Sequence, residues 1–504
     1  MVKRQADRYF VENKAYAGLG RASVRGGMIL VLGRGVNVLV QLGSTIVLAR
    51  LLSPHDFGLV AMIAVIVLFA PTLVDLGTTD ASQQKNDISR VEISSLFWLN
   101  VAIGLALTII FAACSGIIAS FFGEPALAEI SLILSLTFIL TAVSIQHYSL
   151  MRRAMEFHNI AIVDLSSNVI SSIVSIVLAL SGCGYWALVA KPILQLSLTA
   201  IGAWICCPWL PGVPRFSSGV KELVRFGMGV TGFTVMDTLS RSADRIALGY
   251  FNGAGSLGYF QNAFLLYSNM LNIVTEPMHN IGVSSLSKLR ANIPEFKRSW
   301  HAALSFTTFF CAPAFAVLAV TGQDFVVLLL GQKWAPAGPL LCVFAARGIA
   351  TCVERTMGWL HVASGRSERW MRWGVFSAGC QLAALSAGLP FGLMGVAVAY
   401  TIAMFCLFIP ALVYAGEPLQ IGYKDVLAAT GPQVCSALFA VAIGLLIRQQ
   451  LLLDLPEWSR FLISIPICII AYMTMVLAVF RATDPLQLAL SFLRDRGLLK
   501  RFAQ

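Results

Sequence analysis

About fourteen times along the chain, an apolar stretch of roughly 20 residues is followed by a short polar break. A bilayer core about 30 Å thick takes about 20 helical residues to cross, and a helix satisfies its own backbone donors and acceptors without water. Hydrophobic residues make up 57% of the chain and charged residues only 12%, which is more apolar surface than a soluble domain could bury. The pattern therefore predicts an all-α polytopic membrane protein.

The apolar stretches predict about 14 transmembrane helices, each with ends uncertain by about two to four residues. These spans are 28–51, 57–76, 94–120, 127–147, 160–181, 185–206, 222–251, 256–278, 301–321, 338–360, 372–389, 393–415, 426–447 and 461–480. An even number of spans places both termini on one side of the membrane.

Lysine and arginine are concentrated in every second break and in both terminal segments. About 26 of these cations lie on the side of the termini and about 4 on the other, a bias that places both termini in the cytoplasm. A basic inner rim facing anionic membrane lipid accounts for the net charge of +11 without a nucleic-acid partner. We therefore expect a multi-pass membrane protein with both termini in the cytoplasm.

An internal repeat relates two short segments that are 200 residues apart. LARLLSPHDFGLVAMI begins at Leu48 and LGYFNGAGSLGYFQNA begins at Leu248, so that Gly58 and Gly258 occupy equivalent positions. Six predicted spans separate the copies, which favours two parallel halves related by an axis along the membrane normal, although short outer turns can also resemble each other by chance. Residues 253–258 fit GxGxxG, but the apolar spans on either side predict a tight outer turn and not a dinucleotide site.

Several motifs in order along the chain resemble the polysaccharide transporters of the multidrug/oligosaccharidyl-lipid/polysaccharide exporter superfamily. The matching segments are LARLLSPHDFGLV from Leu48 to Val60, VDLG from Val74 to Gly77, GCGYWA from Gly182 to Ala187, the run from Asp244 to Gly258 followed by Tyr259, and GLMG from Gly392 to Gly395 followed by Tyr400. The resemblance extends from Arg21 to about Phe480.

This resemblance implies two six-helix bundles and two additional helices. The expected divisions are a basic cytoplasmic segment 1–27, bundles 28–207 and 222–415 joined by a cytoplasmic linker 208–221, two further spans within 416–480, and a basic cytoplasmic tail 481–504. It also implies that the protein is not an enzyme and flips undecaprenyl-diphosphate-linked oligosaccharides to the outer leaflet, for exopolysaccharide, capsule or lipopolysaccharide synthesis. Coupling to a proton or sodium gradient is implied, with a polysaccharide polymerase and export proteins as partners.

After the basic rim is set aside, six cations lie within predicted spans, where a charge is costly and usually faces a cavity. One of them, Arg245, lies nearer the outer end beside Asp244 and has a structural role as an alternative, which leaves five. Guanidinium groups can hold phosphate oxygens through two parallel hydrogen bonds, and a lysine can act as a point charge. We therefore predict that they line a cationic substrate-binding cavity between the bundles, with Asn37 and Gln41 extending the polar face. The predicted substrate-binding residues are Arg34, Lys191, Arg241, Arg347 and Arg355.

Three carboxylates are candidates for binding the coupling ion: Asp237, Asp244 and Glu354. Because Asp237 and Arg241 are four residues apart on one helix, a local salt-bridge ladder is an equal alternative to a substrate site there. The pattern leaves the coupling ion and its carboxylate open.

Other functions are less consistent with the sequence. A multidrug exporter of the same superfamily would favour carboxylates over the cations seen here, and a membrane-bound glycan polymerase would need a large outer loop, whereas the longest outer break is 323–339. The six histidines have no metal-ligand spacing and the chain has no P-loop, so no metal or cofactor is expected. A non-transporting component of an export machine remains a further alternative.

Overall fold

The computed structural model describes residues 19–79, 82, 88–215, 238, 242–273, 275, 286, 289, 292–364, 367–452 and 454–482, with side chains from Gly33 onward except at 362–364 and 367. Every regular element in these residues is helical. Ten helical segments among them are long and apolar enough to cross a membrane. The prediction of an all-α polytopic membrane protein is confirmed, while the number of spans, about 14, stays a prediction.

The described residues before position 216 form eight helices. They are α1 (Leu19–Leu51), α2 (Pro54–Asp75), α3 (Arg90–Ala113), α4 (Ser115–Phe122), α5 (Ala126–Leu134), α6 (Leu136–Arg153), α7 (Phe157–Leu180) and α8 (Trp186–Cys206).

The starts of α2 and α3 are fixed by capping boxes. Ser53 accepts a hydrogen bond from the Asp56 amide at 3.2 Å, and the Asp56 carboxylate accepts one from the Ser53 amide at 2.8 Å. Ser89 and Glu92 repeat this exchange before α3. Each box satisfies two backbone donors that a helix start leaves open, so the LLSPHDFG motif is the sequence of a sharp helix start.

The later helices begin with α9, residues 242–273. They continue as α10 (Ile293–Leu330), α11 (Ala337–Arg355), α12 (Met357–Ser364), α13 (Ser367–Gly388), α14 (Gly392–Gly416), α15 (Tyr423–Leu451) and α16 (Glu457–Thr474). Helix α10 lies centrally among them and packs against α11, α15 and α16. Its buried side chains Phe296, Trp300 and Leu304 belong to the main hydrophobic core of this part.

Helix α10 is longer than the predicted span 301–321. Its 38 residues extend about 57 Å at 1.5 Å per residue, nearly twice the thickness of a bilayer core. The sequence suggested a break at Asp324, but this carboxylate is buried and paired with Arg448 and Arg460. The charge is neutralised inside the protein, and the helix therefore continues to Leu330.

Two predicted spans are interrupted. The span 94–120 covers α3 and α4, which are separated at Cys114, and the span 127–147 covers α5 and α6, which are separated at Ser135. The Ser135 hydroxyl donates a hydrogen bond to the carbonyl of Leu132 at 2.7 Å. A hydrogen bond from a serine side chain to the preceding turn often bends a helix.

The two repeated segments meet in one reciprocal contact. A methyl group added at Gly58 would overlap the carbonyl oxygen of Ala254, and one added at Gly258 would overlap that of Pro54. Residues 54 and 254, like 58 and 258, differ by the repeat distance of 200, so each copy presents the same surface to the other. The contact has the local two-fold relation that the repeat predicts.

The tight outer turn predicted at residues 253–258 is a junction inside a helical run. Residues on both sides of Gly253 are helical, and Gly253 itself has φ of 76°, a left-handed conformation that glycine adopts without steric cost. This single residue separates the two helical segments that the sequence assigned to the seventh and eighth spans.

The chain divides into two compact units after Gly258. The start of α9 belongs to the first unit, where Gly249 lies close to Phe122 and Met62. Residues 208–215 of the predicted linker are held against α3: the Gly212 amide donates to Ser94 Oγ at 3.0 Å. The linker's remaining residues, 216–221, lie outside the described residues, and the predicted domain boundaries stay a prediction.

Candidate functional site

A polar seam runs along one face of α1 in the first unit. It is formed by Arg34, Asn37, Gln41 and Ser44, whose spacing of three, four and three residues places them on one side of a helix. Asn168 of α7 donates from Nδ2 to Asn37 Oδ1 at 3.0 Å and to the Asn37 carbonyl at 3.2 Å. The predicted lining residues Asn37 and Gln41 thus lie in the seam with Arg34.

Lys191 joins the same seam from α8. Its Nζ donates to Ser44 Oγ at 2.5 Å, and the Ser44 hydroxyl donates to the Gln41 carbonyl at 3.0 Å. Pro192 follows inside the helix and removes one backbone donor, which leaves the carbonyl of Leu188 without its usual helical partner. The structure therefore connects two of the predicted cations, Arg34 and Lys191, through one polar seam.

Asp164 is a carboxylate of this seam that the sequence analysis missed. It lies on α7, half-buried, and accepts a hydrogen bond from Tyr148 Oη at 2.7 Å. It also interacts electrostatically with Arg152 and with Arg34. Asp164 comes from another helix, and Arg34 has no acidic residue within four positions in the sequence. The place of Asp164 inside the predicted span 160–181 was the available signal.

A second cationic seam lies in the second unit on α11. Arg347 is half-buried between two aromatic rings, with its Cζ 6.0 Å from the ring centre of Tyr267 and 5.8 Å from that of Tyr400. Tyr267 donates to Thr351 Oγ1 at 3.0 Å, one turn further along α11. Cation–π contacts hold a guanidinium in place while leaving its N–H groups for an anion. The buried Nε of Arg347 has no hydrogen-bond acceptor among the residues that the structure describes.

Arg355 lies two turns beyond Arg347 on α11 and is exposed. Its Nη1 donates to Asn272 Oδ1 at 2.9 Å and to Thr275 Oγ1 at 3.1 Å. Both acceptors are neutral, so the positive charge of Arg355 is oriented by these contacts without being cancelled by them. Arg347 and Arg355 make this side of α11 cationic, and the neutral hydroxyl of Thr351 lies between them in the sequence.

The candidate coupling residues have different surroundings. Asp244 is half-buried, and its Oδ1 accepts from the Arg245 amide at 2.8 Å. Glu354 is half-buried on α11 beside Arg355. Asp237 and Arg241 lie outside the described residues, so the predicted ladder around Arg241 stays a prediction.

The predicted cations in the described part of the chain therefore form two seams. Arg34 and Lys191 lie in the first unit, and Arg347 and Arg355 in the second. Their convergence on one cavity stays a prediction.

A further charged cluster, which the sequence analysis did not foresee, is built around Asp324. This side chain is 1% exposed and lies 3.1 Å from Arg448 Nη2 and 3.3 Å from Arg460 Nη2. The sequence assigned both arginines to outer polar breaks. In the structure they attach α15 and α16 to α10, which indicates a structural role for these charges.

The sequence is similar to proteins of bacterial polysaccharide synthesis. A family model described as "Polysaccharide biosynthesis protein" matches residues 47–339. The lipopolysaccharide biosynthesis protein WzxC of Escherichia coli (strain K12) is 24% identical over 461 residues, covering 88% of this chain and 84% of WzxC. The succinoglycan biosynthesis transport protein ExoT of Rhizobium meliloti (strain 1021) is 25% identical over 308 residues, covering 60% of this chain and 62% of ExoT.

The fold is similar to those of solved membrane transporters. The lipid II flippase MurJ in its inward closed conformation matches with a TM-score of 0.70 at 17% identity, covering 90% of this chain and 99% of that chain. An inward-facing multidrug resistance transporter of the MATE family, in the MOP superfamily, matches with a TM-score of 0.59 at 13% identity, covering 76% and 94%. At these identities the likeness shows a shared fold.

Proposed function

Because this chain belongs to the polysaccharide biosynthesis protein family, we propose that it flips undecaprenyl-diphosphate-linked oligosaccharides from the inner to the outer leaflet of the bacterial inner membrane. The resemblance to polysaccharide transporters is confirmed by this match and by the similarity to WzxC and ExoT. The related proteins are named as biosynthesis and transport proteins, and the fold is that of a lipid II flippase. These relations support transport without catalysis.

The observation that carries the proposal is the excess of positive charge within helices that are apolar enough to span a membrane. Arg347 has a buried Nε without an acceptor in the described part of the chain and is held by two tyrosine rings. Arg355 is held by two neutral side chains. A diphosphate carries its negative charge at the part of the cargo that must cross, and arginine binds phosphate oxygens in pairs. An anionic headgroup is therefore the cargo that these side chains fit.

The two seams suggest how the polar headgroup crosses while the lipid tail stays in the bilayer. A charge in hydrocarbon must find water, a counter-charge or a ligand. Cationic side chains along α1 and α11 would replace water around the diphosphate and lower the free energy of its passage. We propose that the protein presents this cationic surface first to the cytoplasm and then to the periplasm, with both termini cytoplasmic and a proton or sodium gradient driving the cycle.

A multidrug exporter shares the fold but fits the polar groups less well. Cationic drugs would require acidic or aromatic partners free of competing cations, whereas Arg34, Lys191, Arg347 and Arg355 all carry positive charge into the predicted spans. Such cargo would be repelled at every one of these positions. The non-transporting alternative makes the opposite prediction from ours, because the purified protein would then move no lipid.

The proposal is tested with the purified protein in liposomes. A fluorescent undecaprenyl-diphosphate-linked oligosaccharide is incorporated, and its appearance in the opposite leaflet is followed by a membrane-impermeant quencher. We expect translocation by the wild type that exceeds protein-free liposomes and is lost in Arg34→Ala/Arg347→Ala. Translocation by this double variant at the wild-type rate would overturn the proposed cationic path.

The matched control is Arg372→Ala. Arg372 is exposed, and among the residues that the structure describes it pairs with Glu368 at a long 3.9 Å. The variant therefore loses one positive charge away from both seams. It should translocate the labelled lipid at the wild-type rate.

A further inference from the structure

We propose that Asp164 is an internal anion that competes with the anionic headgroup of the cargo for Arg34 and Arg152. This inference rests on the proposed function, since it assumes a diphosphate-linked cargo. It adds a role for a carboxylate outside the three candidates for ion coupling. The carboxylate would neutralise the arginines when the carrier is empty and yield them when the cargo arrives.

Helix packing brings Arg34 and Asp164 to the same level of the first unit. A methyl group added at Gly33 would lie 3.3 Å from the Cβ of Ala161, and four residues later Asn37 accepts from Asn168 at 3.0 Å. Arg34 follows the first of these contacts on α1, and Asp164 lies between the two contacts on α7. The helices run in the same direction here, so the two charged residues are held in one stretch of the interface.

Tyr148 holds the carboxylate in place from a third helix, α6. Its hydroxyl donates to Asp164 Oδ1 at 2.7 Å. An ionised carboxylate has about four acceptor sites on its two oxygens, so this single bond leaves most of its capacity available to guanidinium groups. Arg152 lies one turn along α6 from Tyr148 and interacts electrostatically with Asp164, as does Arg34.

The charges of this cluster suit an exchange of partners. Two guanidinium groups, of Arg34 and Arg152, interact electrostatically with one carboxylate, and this group of three charges stays positive when the internal anion is bound. Arg34 and Arg152 are exposed, while Asp164 and Tyr148 are half-buried. The arginines are therefore accessible to an incoming anion, and the carboxylate that opposes it is fixed to the scaffold.

Competition solves a problem that every carrier of an anion meets. Arginines that bind a diphosphate tightly also release it slowly, and without cargo their unpaired charge is costly in a low-dielectric setting. An internal carboxylate speeds release of the diphosphate and pairs the arginines in the empty carrier, because it takes the place of the departing phosphate. The affinity for the cargo is accordingly weaker than the arginines alone would give.

Binding of undecaprenyl diphosphate to the purified full-length protein in detergent tests this directly, with undecaprenol as the uncharged reference. Asp164→Asn removes the competing charge and keeps the side-chain size, so we expect the affinity for undecaprenyl diphosphate to rise about 3- to 30-fold. The lower end corresponds to losing a partly exposed ion pair and the upper end to losing a hydrogen bond between charged groups. Asp164→Ser is measured in parallel in case the amide misfolds, with the thermal unfolding midpoint as the check on both. Tyr148→Phe keeps the carboxylate's charge and should not raise affinity.

Glu124→Gln is the matched control for charge. Glu124 pairs with His55 at 3.2 Å, away from the seam in the same unit, so its loss of one negative charge should leave the affinity unchanged. An Asp164→Asn protein that folds and binds no more tightly than wild type, while Arg34→Ala binds more weakly, overturns the inference and leaves the proposed function standing. Equal binding of undecaprenyl diphosphate and undecaprenol by the wild type would instead contradict the proposed function.

Discussion

At the scale of single residues, Arg34 combines the features expected of a group that binds a mobile anion. It is exposed, lies on a polar face of an apolar helix, and has an acidic neighbour that is shared with Arg152. Lys191 differs, because its ammonium is committed to Ser44 at 2.5 Å and it can contribute only a point charge. Arg34 is therefore the more informative position for a functional test.

Arg34→Ala should reduce glycan export by about tenfold or more, because a charge-assisted hydrogen bond contributes about 1.5–3 kcal/mol. Arg34→Lys should restore part of the export, since the charge returns without the two-pronged geometry. The measurement is complementation of an export-deficient strain, with the amount of membrane-inserted protein determined on the same cells. Full export by Arg34→Ala at normal protein levels would remove Arg34 from the cargo path.

At the scale of helices, an element that is defined by its own residues can be predicted from the sequence. The apolar stretches indicated the long helices, and the repeat marked Gly58 and Gly258 as equivalent positions. The structure adds that the two positions meet in a backbone contact, which requires glycine at both. Contacts whose partners come from distant helices could not be predicted. Asp324 looked like the end of a span because its partners, Arg448 and Arg460, are more than a hundred residues away, and Asp164 was missed for the same reason.

The reciprocal glycine contact predicts a paired effect on stability. Gly58→Ala and Gly258→Ala each place a methyl group against a backbone carbonyl that cannot move independently. Each substitution should therefore lower the free energy of unfolding by about 1–3 kcal/mol or more. Because both changes force apart the same two helices, the double variant should lose less than the sum of the single losses. The readout is the thermal unfolding midpoint in detergent.

Gly43→Ala serves as the control for this pair. Apart from its own helix, no atom of the described residues lies within 4 Å of a methyl group added at Gly43, and alanine has the higher helix propensity. Its unfolding midpoint should equal or exceed that of the wild type. Strictly additive losses in the Gly58/Gly258 pair would argue against a shared contact.

The Asp324 cluster predicts that α15 and α16 depend on one carboxylate. Asp324→Asn leaves Arg448 and Arg460, which are 15% and 18% exposed, without their buried counter-charge, and removing one partner of such a pair costs about 3–5 kcal/mol. Glu457→Gln should cost less than about 1 kcal/mol, because Glu457 is 44% exposed and lies 3.7 Å from Arg460. Unfolding midpoints of the two variants should differ clearly, and similar values would show that the cluster adds little to stability.

At the scale of the whole molecule, the two units carry the same kind of surface on different helices. Each presents cations that contact neutral polar or aromatic side chains: Ser44 in the first unit, Tyr267 and Asn272 in the second. A repeat that duplicates the fold would also duplicate the opportunity to place a cation, and a diphosphate offers two phosphoryl groups to bind. The prediction that a single cargo contacts both seams would account for the charge in both units.

That explanation predicts energetic coupling between Arg34 and Arg347. Affinities for undecaprenyl diphosphate are measured for the wild type, Arg34→Ala, Arg347→Ala and the double variant. If one diphosphate contacts both arginines, removing either arginine weakens the contact of the diphosphate with the remaining one. The binding free energy lost by the double variant should then be about 0.5–3 kcal/mol smaller than the sum of the losses in the single variants. Arg34→Ala combined with Arg372→Ala should be additive, because Arg372 lies outside both seams. Additive losses for Arg34 and Arg347 would mean that the seams bind separately and that the predicted convergence on one cavity is wrong.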